Sequence, residues 1–139
     1  MEQLWSPWRM EYILGEKQDV CVFCTAFSAA PTEDESYLVL HRGTHCGVIM
    51  NLFPYNNGHV LVCPYRHVSD MCDLTTEENV ALVDEIVKVI EVLKATMKPG
   101  GFNVGLNLGE IAGAGIEEHL ADQRNYRACL HACIEYALV

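Results

Sequence analysis

Cys21 and Cys24 form a C-x-x-C pair, the spacing at which two thiolates reach one tetrahedral zinc ion. The same spacing serves thiol–disulfide exchange when the pair opens a helix inside a thioredoxin-like βαβ unit, which the flanking sequence does not suggest. Two buried cysteines without chemistry are the third reading. A zinc site needs two further ligands, and His67 and His119, each near an expected strand end, are candidates. Sequence spacing alone does not bring them to the cysteines. Farther along, Gly109 to Gly115 holds three glycines in seven residues. Such a loop lets successive N–H groups converge on an anion, or simply joins two strands. Asn51, at a strand end, offers an amide that could bind a ribose hydroxyl or cap a turn. His41 and His45 flank a turn and are expected to be solvated. His59 follows a glycine at a strand start, where a structural hydrogen bond is the expectation.

The elements that must position these residues follow from hydrophobic period and turn chemistry. Residues 1–20 mix Trp5, Trp8 and Tyr12 with charges and a proline, which suggests an arm that packs by its rings, partly as a short helix. Tyr37 to Leu40 and Gly47 to Met50, joined through Arg42-Gly43, read as a β-hairpin. The turn formers from Phe53 to Gly58 lead into a third strand, His59 to Cys63, closed by Pro64. Thr75-Thr76-Glu77-Glu78 has the capping-box form and should start a helix. Val83, Ile86, Val87, Ile90, Leu93 and Met97 then recur on one helical face, with Asp84, Glu85, Lys88 and Glu91 largely elsewhere. Pro99-Gly100-Gly101 ends that helix, and Phe102 to Asn107 alternates as a strand. Strands in quick succession, one long helix and another strand predict an α+β fold with an antiparallel sheet.

Composition narrows the function. A chain of 139 residues that is 50% hydrophobic can build one core. Nine basic residues against 19 acidic give a net charge of -10, the wrong sign for gripping nucleic acid backbones. A small-molecule ligand fits better. An anionic one needs a local donor site to overcome that field. Pro7, Arg9 and two glutamates in the first eleven residues break up any secretory signal core, and no apolar run approaches the roughly 20 residues of a membrane span. Seven cysteines is an odd count without disulfide-scaffold spacing, so reduced thiols in a cytoplasmic protein are expected.

Taken together, the stretch from Asn51 to His67 (N-L-F-P-Y-N-N-G-H-V-L-V-C-P-Y-R-H), the Gly109–Gly115 loop and Glu118-His119-Leu120 resemble the histidine triad (HIT) superfamily. The opening Leu4-Trp5-Ser6-Pro7-Trp8-Arg9-Met10 resembles the branch related to diadenosine tetraphosphate phosphorylases and dinucleoside polyphosphate hydrolases. The resemblance covers about residues 4–120. It implies an antiparallel sheet of about five strands with one long helix packed on it, usually in a homodimer, acting on a purine nucleotide or dinucleoside polyphosphate. It implies a structural zinc held by Cys21, Cys24, His67 and His119, a closed shell with no position for substrate. It matches Asn51 to a ribose-binding asparagine, Asn107 and the backbone of Gly113 and Gly115 to positions around the phosphates, and Leu52 and Phe53 to the neighbourhood of the base.

The sequence departs from that family where the chemistry should be. The family motif is H-x-H-x-H, whose middle histidine attacks the α-phosphate, whereas this register reads His119-Leu120-Ala121-Asp122-Gln123. Alanine has no lone pair, so Ala121 cannot be the nucleophile. Gln123 can still bind a phosphate oxygen. After Leu120 the chain resembles nothing in the family, so residues 1–120 read as a HIT-like domain and 121–139 as a divergent tail. The tail is expected to form a short amphipathic helix burying Cys129, Leu130, Cys133, Ile134 and Leu138. Loss of the family's last strand would expose a sheet edge unless the tail or a partner covers it. Nucleotide binding without turnover is the function these residues favour. The alternative is an active hydrolase or phosphorylase in which a tail residue such as His131 replaces the nucleophile.

Overall fold

The computed structural model describes residues 21–52, 58–106, 108 and 132–137. A short helix α1 (Val22–Ser28) and a single 3-10 turn (Pro31–Glu33) precede strands β1 (Val39–Arg42), β2 (Cys46–Met50) and β3 (Val60–Pro64). A second 3-10 turn (Met71–Asp73) leads into the long helix α2 (Thr76–Met97), followed by β4 (Gly101–Leu106) and β5 (Ala132–Ala137). The five strands make one sheet in the order β1-β2-β3-β5-β4, and each of its four pairings is antiparallel. The expected α+β fold, with one long helix on an antiparallel sheet, is the fold observed.

Alternation on β2 and β3 sorts side chains to the two sheet faces. Cys46, Val48, Val60 and Val62 enter a cluster with Leu82 and Leu93 of α2, Val68, Leu74 and Ile134. Ile49, Leu61 and Cys63 enter a second cluster with Val39, Ala26 of α1 and, at its edge, Phe23 and Phe27. β3 is buried along its whole length because each face is covered, one by α2 and the other by α1. This two-sided cover is what fixes the Cys-bearing helix on the sheet.

The capping box forms as the sequence predicts: the Glu78 N–H donates to Thr75 Oγ1 at 3.2 Å and the Thr75 N–H to Glu78 Oε2 at 2.8 Å. The buried face of α2 differs from the expected one. Val83 and Val87 are 55% and 49% exposed and Met97 40%, whereas Leu82, Glu85 and Leu93 are buried with Ala81, Ile86, Val89 and Ile90 packed alongside. Several valines populate both sides of this helix, so period alone did not fix its phase. Glu85 tolerates burial because its carboxylate faces His41 Nε2 at 3.4 Å and Lys88 Nζ at 3.6 Å. His41 is solvent-exposed as expected, but it lies in strand β1 rather than in the turn, with its ring facing the Glu85 carboxylate.

The tail departs further from expectation. Residues 132–137 form a strand, not a helix, and it lies inside the sheet: Val60 and Val104 both pair with Ile134, which is fully buried. Without β5, the facing backbone groups of β3 and β4 would lack partners, and satisfying both edges outweighs the weak helical pattern of the segment. The edge that a lost last strand would have exposed is covered by the tail itself.

Candidate metal centre and nucleotide site

Cys21 is the N-cap of α1, with extended backbone (φ -66°, ψ 120°), and Cys24 lies one turn later. His67 follows β3 on the loop beyond Pro64. This places Cys24 Sγ 3.2 Å from His67 Nδ1, and the ligating atoms of Cys21, Cys24 and His67 all lie within 4.8 Å of one another. Ideal tetrahedral zinc, with about 2.3 Å to sulfur and about 2.0 Å to nitrogen, separates a sulfur from a nitrogen ligand by about 3.6 Å and two sulfurs by about 3.8 Å. Two soft sulfurs and one imidazole nitrogen gathered this closely suit zinc, with side-chain adjustment of up to about 1 Å to reach those separations. His119, the fourth expected ligand, lies outside the described residues. The pair does open a helix, but with every strand pairing antiparallel the described elements hold no thioredoxin-like βαβ unit.

Two groups of contacts hold the cysteines and the histidine relative to the sheet, and neither was foreseen from spacing. On the cysteine side, Phe27 packs against Gly47, where a Cβ would come within 2.3 Å of the ring, and meets Tyr65 edge-on at 5.3 Å between centroids. Tyr65 in turn donates from its hydroxyl to the Gly43 carbonyl at 2.8 Å. Arg42, which had read only as a turn residue, sends its guanidinium to the carbonyls of Phe27, Ala26 and Ala29 and to Asp34. On the histidine side, Arg66 makes a two-point contact with Glu78, at 2.9 and 2.7 Å, and donates to the Asp73 carbonyl, tying the His67 loop to the start of α2. Hydrogen bonding from Arg66, then from the Thr75 N–H, holds the Glu78 carboxyl from 4.5 down to about 2. Cys46 is a different kind of cysteine. Burial pushes its thiol up to about 11, and it packs against α2 within reach of the Ala81 carbonyl at 3.6 Å, so it acts as a neutral core residue.

Asn51 follows β2, and its N–H donates to the His59 carbonyl at 3.1 Å, carrying the β2–β3 pairing one step beyond Met50 and Val60. Its side-chain nitrogen lies 3.3 Å from both ring nitrogens of His59, so the amide sits against the imidazole without committing to one lone pair. His59 is 2% exposed and is held by the fold, as the structural-hydrogen-bond expectation had it. Leu52, beside Asn51, is 67% exposed. Of the other expected binding residues, Phe53, Asn107, Gly113 and Gly115 lie outside the described residues, as do Ala121, Gln123 and His131.

Comparison with known proteins places this arrangement. The model of the HIT domain matches residues 32–119. An AP-4-A phosphorylase of Mycobacterium tuberculosis (strain CDC 1551 / Oshkosh) is 43% identical over 126 residues, covering 86% of this chain and 65% of that protein. The chain thus spans a little under two thirds of the length of that relative. Among solved structures, a HIT family protein from Bacillus anthracis superposes with a TM-score of 0.66 at 22% identity, over 88% of this chain and 77% of that one. A zinc-bound histidine triad family protein from Mycobacterium smegmatis superposes with a TM-score of 0.64 at 19% identity, over 84% and 73% respectively. Because the domain model covers more than half of the sequence, and the same helix-on-sheet fold recurs in these neighbours, the chain belongs to the HIT domain family.

Proposed function

We propose that this chain binds purine nucleotides, dinucleoside polyphosphates among them, and that its capacity for nucleotidyl transfer is impaired. The observation that carries the binding half is Asn51, whose amide is held against the buried His59 at the end of β2. An amide oriented in advance binds a ribose hydroxyl without the entropy cost of ordering a free side chain. The relative named for AP-4-A supports the substrate class. Leu52 and Phe53 would offer apolar contact to the base, and Asn107 with the backbone of Gly113 and Gly115 would face the phosphates.

The impaired half rests on Ala121 at the position of the family's attacking histidine. With no nucleophile there, what remains is binding and positioning, with Gln123 able to donate to a phosphate oxygen. His119 would serve the metal instead, joining Cys21, Cys24 and His67 around a structural zinc. Bound there, zinc would supply no chemistry to the substrate but a covalent tie between α1 and the loop after β3. The thiolates of such a site fit a reducing, cytoplasmic setting. A homodimer is supported by β4, which lies at the edge of the sheet among the described strands and leaves Val104 46% exposed.

Calorimetry with AMP and GMP tests the binding half: weak heats that survive added salt and vanish in Asn51→Ala are expected, and no heat at millimolar ligand would refute it. Mass spectrometry after incubation with diadenosine tetraphosphate tests the other half, with no nucleotidyl adduct expected.

A further inference from the structure

Helix α1 is seven residues long, too short to persist by its own hydrogen bonds. It has no side-chain cap at its N-terminus, no glycine after its last turn and no basic residue in that turn. Its carbonyl end nevertheless meets a positive charge, delivered from β1. Arg42 Nη1 donates to the Phe27 carbonyl at 2.8 Å, and Nη2 to those of Ala26 at 3.3 Å and Ala29 at 3.1 Å. The guanidinium is itself aimed by Asp34, which accepts from Nη2 at 2.6 Å and from Nε at 3.0 Å. A planar fork with five N–H donors can satisfy several diverging carbonyls and a carboxylate at once, which a lysine ammonium cannot.

We infer that Arg42 is a positioning residue for the metal centre, fixing the rotation of α1 so that Cys21 and Cys24 meet His67 in ligating geometry. The inference rests on the metal site proposed above. Phe27 against Gly47 sets the distance of α1 from the sheet, and the packing of Phe23, Ala26 and Phe27 sets which face turns inward, while the carbonyl contacts of Arg42 add the finer restraint on rotation. Side-chain atoms lie within about 5–6 Å of a helix axis, so a turn of about 20° moves a thiolate by up to about 2 Å. Metal–ligand distances tolerate about 0.2 Å. The Ala26 carbonyl, gripped by Arg42, lies two residues beyond Cys24, and the Ala26 side chain is 1% exposed, so the turn bearing Cys24 is held from both sides.

The test is a cobalt(II) titration of the full chain, followed by the thiolate-to-cobalt charge-transfer band and the tetrahedral d–d bands. Arg42→Lys keeps the charge and loses the fork, Asp34→Asn loosens its aim, and Ile86→Val weakens the core on the opposite face. Both clamp variants should keep wild-type far-UV circular dichroism and bind cobalt at least about 10-fold more weakly, the usual cost of losing a residue that orients metal ligands. Ile86→Val should lower the melting temperature without changing cobalt affinity. Should Arg42→Lys fail to fold, Asp34→Asn decides. Wild-type affinity in Asp34→Asn and in any folded Arg42→Lys, or an equal loss in Ile86→Val, overturns the role of Arg42 while leaving the metal site standing. A wild-type chain that gives no thiolate–cobalt band overturns the site, and the inference with it.

Discussion

Gly47→Ala should destabilise the protein by about 1–2 kcal/mol, although the same change in an uncrowded strand is expected to help. An alanine loses less backbone entropy on folding than glycine, a gain of about 0.5–1 kcal/mol in a strand interior. At Gly47 the new Cβ would sit 2.3 Å from Cε1, 2.8 Å from Cζ and 3.0 Å from Cδ1 of Phe27. Ordinary contact would require the ring to retreat by more than 1 Å. It cannot do so alone, because it packs edge-on against Tyr65 and its own carbonyl is held by Arg42. Overpacking of this kind costs about 1–3 kcal/mol, which exceeds the entropic gain. Gly101 and Gly105 supply the internal contrast: nothing lies within 4 Å of a Cβ added at either, so Gly101→Ala and Gly105→Ala should be neutral or stabilising by about 0.5 kcal/mol. Urea unfolding of the three variants measures the difference directly. Phe27→Leu should relieve most of the Gly47→Ala cost in a double-mutant cycle. A Gly47→Ala chain as stable as its Gly105→Ala counterpart, or a cost unchanged by Phe27→Leu, would refute this account of how α1 docks.

Other expectations follow from the site and its supports. Chelation should lower the melting temperature, since thiolate and imidazole ligation is linked to folding, and elemental analysis should find one zinc per chain that Cys24→Ser removes. Because Glu78 is held from 4.5 down to about 2 in the folded chain, the stability it contributes is fully present above about pH 4.5 and is lost as pH falls toward 2. Acid unfolding of Glu78→Gln against the parent should therefore show a gap at neutral pH that closes over that interval. Diadenosine tetraphosphate should be cleaved no faster than in a buffer blank by chromatographic assay. Cleavage abolished by His131→Ala would instead assign the nucleophile to the tail.

The parts of this structure legible in the sequence are those set by local chemistry. Thr75 and Glu78 announced the start of α2, and the run from His59 to Cys63 announced a third strand, though not the burial of both its faces. What escaped depends on contacts between distant segments. Glu85 reads as a surface residue until β1 brings His41 against it. Arg42 beside Gly43 reads as a turn, because its acceptors are backbone carbonyls that carry no residue signature. The strand at Ala132–Ala137 is imposed by the slot between β3 and β4 rather than by its own alternation. In the metal centre the C-x-x-C pair was legible by its spacing, and His67 as a candidate ligand, although spacing did not show that it meets the pair. The approach of His67 follows from where β3 ends, and the pairing of Asn51 with His59 from the register of β2 on β3.

The central claim is that Asn51 and its surroundings hold a nucleotide which the chain cannot activate. It is tested most directly by incubating the purified protein with excess diadenosine tetraphosphate and following bound ligand, released nucleotide and intact protein mass in one time course. The account predicts reversible binding that Asn51→Ala removes, no release of mononucleotide above the blank, and no mass increase corresponding to a nucleotidyl group. Steady release of mononucleotide accompanied by a covalent adduct on the unmodified chain would contradict it.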